Sequence, residues 1–183
     1  TVGSPIQAPL DCVDELIQTL GKRLDPSSIT NIHVKIPHES LTIVNNREMP
    51  EICLQHLVAL MIFEGRMDFY LAHDRSRMSD PKILELRKLI SLEGSDELSK
   101  NMPTRQGIVR ITLRSGKHFE VYTRDVKGTP NNPMNRLELD RKCIDLMSPI
   151  LGLNQSELIC KAAWELETFA SARDFVALLS PRN

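Results

Sequence analysis

Ser4 and Gln7 set a hydroxyl and a carboxamide three residues apart in the loop Gly3-Ser4-Pro5-Ile6-Gln7-Ala8-Pro9, directly ahead of a periodic apolar segment. The start of a helix presents unpaired N–H groups and the positive end of the helix dipole, which suit a carboxylate or a phosphate. The alternative is a helix start that binds nothing. Gln55 and His56 are the main polar residues of a segment otherwise apolar on every side. Buried polar groups must find partners, either in a site or as satisfied members of the core. His73-Asp74 has the composition of an acid–base couple. Adjacent helical residues point about 100° apart, however, so a helix-end cap beside a surface histidine explains the pair equally well. His33 and His118 fall on the polar sides of alternating segments and are expected to be solvated.

The loop Gly128-Thr129-Pro130-Asn131-Asn132-Pro133-Met134-Asn135 also leads into a helix, with Lys127 and Arg136 close by. Two prolines and several asparagines specify a fixed backbone course, suited either to a structural crossover or to a ligand loop. No His, Cys, Asp and Glu grouping has metal-ligand spacing, and there is no glycine-rich phosphate loop or serine nucleophile motif. The residues therefore suggest binding groups, Ser4, Gln7, Gln55 and His56, without naming a catalytic acid or base, and imply neither a metal nor a cofactor.

Composition narrows the classes further. The 183 residues carry 23 Lys+Arg against 24 Asp+Glu, a net charge of −1, with 41% hydrophobic and only 4% aromatic residues. A general nucleic-acid binder needs a basic face and stacking rings, so that class is disfavoured. A chain of this size buries roughly two-thirds of the surface it exposes when unfolded, enough for a real core. The run Leu57 to Phe63 is too short to span a bilayer, and a soluble, cytoplasmic protein is expected. Cys12, Cys53, Cys143 and Cys160 are widely spaced, as expected of buried, reduced thiols. The chain begins Thr1-Val2-Gly3 with no initiator methionine, the start expected of a piece of something longer.

The elements that must position these residues can be read from periodicity. Leu10, Val13, Leu16, Ile17 and Leu20 predict an amphipathic helix, with Pro9 at its first position and Gly21 as its C-terminal cap. Ile32, Val34 and Ile36 alternate with polar neighbours and predict a half-buried strand. Pro50 to Phe63 reads as a helix buried on all sides, ended by Gly65. Asp80-Pro81 opens a third helix, followed by a short strand at Ile90 to Leu92 and a loop from Gly94 to Arg105. Val109 to Leu113 and His118 to Val121 predict a β-hairpin with a two-residue loop at Ser115-Gly116. Beyond the Pro/Asn-rich loop the pattern is helical, with an Asn135/Glu138 capping box, a stop at Gly152 and two more helices through Trp164 and Phe175. The expected fold is α+β, a small antiparallel sheet packed with helices in a two-layer, lid-type domain over residues 1–127. C-terminal helices follow over 128–183, carrying more apolar residues than the small sheet can cover.

Several segments in order, Gly3 to Ala8, Leu54-Gln55-His56-Leu57-Val58-Ala59, Phe69 to Asp74, Asp80-Pro81, Gly128 to Met134 and Pro149-Ile150-Leu151-Gly152, resemble the C-terminal half of the MmgE/PrpD family. The likeness runs from Val2 to about Leu179. That family includes 2-methylcitrate dehydratase, cis-aconitate decarboxylase and iminodisuccinate epimerase. The resemblance implies a larger, metal-free lyase with a helical domain, a smaller α/β lid and an active site in the cleft between them. Most of the family's catalytic His, Lys and Asp groups would lie N-terminal to this segment. The expected partners are a small polycarboxylate substrate, the N-terminal helical domain of the same protein and a second copy in a homodimer. Some members, decarboxylases among them, carry a histidine in the loop before the lid's first helix, where this sequence has Gln7. A carboxamide hydrogen-bonds but does not transfer protons near neutral pH, which counts against decarboxylation of cis-aconitate.

Overall fold

The computed structural model describes residues 2–180, which form two compact units dividing between Asn132 and Pro133. Thr1 and residues 181–183, the outer ends of the two expected segments, lie outside the described residues.

The first unit is built on four strands, β1 (Ile29–Pro37), β2 (Ile90–Ser95), β3 (Gly107–Leu113) and β4 (His118–Thr123), in the spatial order β2-β1-β3-β4. Antiparallel pairing joins β1 to β3 and β3 to β4, but β2 runs parallel to β1, so the sheet is mixed rather than wholly antiparallel. The reason lies in the connection. Between β1 and β2 the chain passes through a run of helices and re-enters the sheet in the same direction, as a parallel pair requires.

The alternation in β1 does what the pattern predicts. Ile32, Val34 and Ile36 are fully buried, while Asn31, His33 and Lys35 lie on the other face. Helix α1 (Gln7–Leu20) packs on β3 and β4, buries Val13, Leu16 and Ile17, and ends where Gly21 takes φ +63° and its N–H reaches the Gln18 carbonyl. It begins two residues ahead of Pro9, after a 3-10 turn at Ser4–Ile6, so proline occupies the first turn but not the first position. Helix α2 (Leu41–Val44) is a single turn after β1. Helix α3 (Leu54–Glu64) packs beside α1, every residue from Leu54 to Ile62 is buried, and Gly65 at φ +76° caps it. The preceding Pro50–Ile52 is a separate 3-10 turn. Helix α4 (Phe69–His73) follows, and α5 (Pro81–Arg87), opened by the Asp80 carboxylate accepting from the Lys82 N–H, packs on α3.

Two local expectations change. The segment 94–105 is not all loop: β2 continues to Ser95, and α6 (Asp96–Ser99) forms because the Ser95 hydroxyl caps the Leu98 N–H. The hairpin loop holds three residues, Arg114, Ser115 and Gly116, since Leu113 N–H bonds the Lys117 carbonyl and Gly116 N–H bonds the Leu113 carbonyl. Gly116 at φ +82° supplies the left-handed residue that a three-residue hairpin loop needs.

In the second unit, α7 (Arg136–Leu151) opens with the expected capping box, in which Asn135 and Glu138 each bond the other's backbone N–H. Gly152 separates it from α8 (Leu153–Trp164), which packs against α7, and α9 (Ala172–Ala177) follows. Among the described residues no helix is long and apolar enough to cross a membrane.

Candidate carboxylate-binding site at the start of the first helix

The loop ahead of α1 is held from two sides. Gly3 N–H donates to the Glu51 carbonyl at 2.8 Å, tying the loop to the turn that leads into α3. Along β3, a Cβ on Gly107 would stand 2.9 Å from Pro9 Cδ and 3.2 Å from Ala8 Cβ, so the strand approaches the first turn of α1 as closely as only glycine allows. Ser4 is exposed and Gln7 half-buried, and Gln7 makes no side-chain hydrogen bond among the described residues.

The structure adds a residue that the sequence does not single out. Arg105 Nε donates to Ser4 Oγ at 2.9 Å, and its other contact is a 3.4 Å approach of Nη1 to Met102 Sδ. No carboxylate among the described residues pairs with it. Its neighbour Gln106 is buried and anchored, with Oε1 accepting from Asn101 Nδ2 at 3.0 Å and from the Tyr122 hydroxyl at 2.9 Å. A guanidinium fixed beside a helix start, with planar donors still available, is suited to a carboxylate. Ser4 and Arg105 are 101 residues apart in sequence, and no local pattern marks their meeting.

Gln55 and His56 have other surroundings. Gln55 Nε2 donates to Asn45 Oδ1 at 2.6 Å, and its Oε1 accepts from Asn46 N–H at 3.0 Å. It thereby fixes the chain where Asn46 takes φ +47°. Arg87 in turn donates to Asn46 Oδ1 at 3.1 Å. An open groove of about 470 Å³ lies against this clamp, lined by Asn46, Pro81, Leu84, Arg87, Lys88 and Ile90. His56 has no accessible surface, and neither ring nitrogen has a partner among the described residues. Burial lowers its pKa to about 4, assisted by the positive charges of Arg87 and Arg77 and opposed by Asp74. The ring is therefore neutral at physiological pH.

His73 and Asp74 do not face each other. The His73 ring stacks on Phe69 at 4.3 Å with Nδ1 2.8 Å from the Phe69 carbonyl oxygen, and Asp74 caps the following turn by accepting from Ser76. Those Ser76 bonds hold the Asp74 carboxyl below its usual pKa. His33, on the polar face of β1 and partly exposed, lies 2.9 Å from Glu93, which also pairs with Lys35 at 3.0 Å. His118 is exposed. The polar side chains of the 128–132 loop bond back onto the residues just before it: Asn132 Nδ2 donates to the Asp125 carbonyl, Asn131 Nδ2 to the Asp125 carboxylate and Thr129 Oγ1 to the Val126 carbonyl. Asp11, whose pKa burial raises, accepts the Lys127 N–H at 2.8 Å and fastens the approach to that loop onto α1. Among the described residues no cluster of three or more His, Cys, Asp or Glu could hold a metal ion.

A mixed four-stranded sheet backed by helices, with a guanidinium and a hydroxyl at the start of its first helix, makes the first unit an α+β domain. Residues 2–166 match the model of the MmgE/PrpD C-terminal domain, and the chain belongs to the MmgE/PrpD family, which includes dehydratases and other lyases. No curated protein matches the chain.

Proposed function

We propose that this chain is the C-terminal portion of a cytoplasmic, metal-free hydro-lyase of the 2-methylcitrate dehydratase type. Its substrate is a small di- or tricarboxylate that loses a proton α to a carboxylate and a β-hydroxyl. Elimination of this kind needs a base, an acid for the leaving group, and fixed donors for the carboxylates. The observation that carries the reading is Arg105, a guanidinium held on Ser4 beside the first turn of α1 with no acidic partner among the described residues. Arg105 and Ser4 bind one substrate carboxylate, and Gln7 adds a hydrogen bond without moving a proton. Gln55 and His56, the other two residues expected to bind substrate, lie on α3, where Gln55 clamps Asn45 and Asn46. The acid and base come from an N-terminal helical domain of the same protein, which works as a homodimer.

Assay of the protein with its helical domain against 2-methylcitrate, cis-aconitate and iminodisuccinate tests the proposal. Dehydration of the hydroxy acid is expected, and the 183-residue chain alone should turn over none of the three. Epimerisation or decarboxylation in its place would assign the chain to another branch of the family. A properly folded protein inert towards all three would point to a non-catalytic binding or assembly module.

A further inference from the structure

The C-terminal helical hairpin brings two cysteines together. Gly152 separates α7 from α8, and Trp164 Nε1 donates to Asp140 Oδ1 at 2.7 Å while Arg136 lies over the Trp164 ring at 4.8 Å. These contacts fix which turn of α7 faces which turn of α8. Cys143 is three residues beyond Asp140, and Cys160 four residues before Trp164, so each cysteine shares a helix face with one member of that pair. In an antiparallel hairpin the two cysteines then lie opposite each other, one turn nearer Gly152. Cys160 is buried and Cys143 half-buried, both as free thiols. Burial raises the pKa of the Cys160 thiol, and the nearby Cys143 raises it further.

The other two cysteines are placed differently. Cys12, in the first unit, approaches the Gly107 carbonyl at 3.4 Å and the Thr123 hydroxyl at 3.2 Å, and burial lifts its pKa to about 11. Cys53, also in the first unit, is wholly buried at the start of α3.

We propose that Cys143 and Cys160 form a reversible disulfide that staples α7 to α8 when the protein meets a small disulfide oxidant such as oxidised glutathione. Cys143, the more accessible thiol, loses its proton and attacks one sulfur of the oxidant. A mixed disulfide forms, and one glutathione departs and takes up a proton. The Cys160 sulfur, deprotonated in its turn, attacks Cys143 Sγ and displaces the second glutathione, which is likewise protonated. One disulfide is broken and one made, with the protein thiols oxidised and the reagent reduced to two thiols. The link closes a short loop centred on Gly152, which restricts the unfolded hairpin more than the folded one.

The test treats the 183-residue chain with oxidised glutathione under native conditions, blocks remaining thiols with an alkylating agent and maps the peptides without reductant. A peptide pair joined through Cys143 and Cys160, two hydrogens lighter than its parts, is expected. Cys12 and Cys53 should become alkylated only after unfolding. The oxidised chain should also melt at a higher temperature than the reduced one, a difference abolished by reductant or by Cys143→Ser. The proposal is overturned if all four thiols remain free, if glutathione stays on Cys143 with Cys160 unlinked, or if the cross-link involves Cys12 or Cys53. Identical melting of the oxidised wild type and the treated Cys143→Ser variant would overturn the staple as well.

Discussion

At the start of α1, chemistry is decided by the company a side chain keeps. Arg105 matters because no acidic group among the described residues neutralises it, whereas Arg110, paired with Glu120 at 2.7 Å, and Lys88, paired with Glu85 at 2.6 Å, already have partners. Of the polar residues legible in the sequence, Ser4 and Gln7 stand at the predicted helix start, because a proline-bounded loop ahead of an apolar period specifies its own place. Arg105 was not legible, since its role depends on a contact across 101 residues. His56 could be read as buried, but not as lacking partners, because periodicity reports which residues are enclosed and not what surrounds them. That burial has a consequence for stability. The folded pKa of about 4 lies below the ordinary histidine value of 6.5, so the unfolded chain binds the proton first as pH falls. Stability should be complete above pH 6.5, fall between 6.5 and 4 by about 3 kcal/mol from this group, and change no further through it below 4. Urea unfolding of the wild type and His56→Leu across this range checks it: the variant should lose that part of the slope, and parallel curves would reject the assignment.

Among the elements, α1 and β3 carry the site between them. The periodicity of α1, the alternation of β1 and β3 and the all-round apolar character of α3 were legible, since each follows from local spacing. The direction of β2 was not, because six residues of extended chain read the same in a parallel or an antiparallel pair and only the route between strands decides. The hairpin loop length was hidden for a similar reason: Ser115-Gly116 signals a turn, but which residue takes positive φ is settled by the twist of the flanking strands. Gly107 is where α1 and β3 come closest. Gly107→Ala would place a Cβ 2.9 Å from Pro9 Cδ and 3.1 Å from the Pro9 backbone nitrogen, contacts that a proline ring cannot evade by rotation. The substitution should cost about 1–3 kcal/mol of stability, as overpacking does, and displace the start of α1 from Arg105. Thermal unfolding measures the first effect and substrate affinity in the full protein the second; wild-type values for both would show that the approach is not tight.

For the molecule as a whole, the two units differ in how they cover their apolar residues. The first encloses a continuous core from Ile6 through Ile111, and the all-round burial of Leu54 to Ile62 depends on α1, α5 and the sheet together. In the second, Leu137, Ile150, Leu153, Leu158 and Leu166 are exposed, Ile150 by 74%, and Trp164 is 42% exposed. An apolar surface of this kind favours association. The 183-residue chain should therefore form dimers or larger species at micromolar concentration, with Trp164 emitting at the longer wavelengths of a hydrated indole; light scattering with fluorescence measures both. A strictly monomeric chain with a blue-shifted Trp164 would show that these helices need no further cover. The account is tested most directly by steady-state kinetics of the protein with its helical domain on 2-methylcitrate, comparing wild type with Arg105→Ala. If Arg105 and Ser4 hold a substrate carboxylate, kcat/KM should fall roughly tenfold to a hundredfold, the effect of about 1–3 kcal/mol of lost interaction, while the fold and melting temperature are kept. Unchanged kinetics in the folded variant would contradict the placement of the carboxylate at the start of α1.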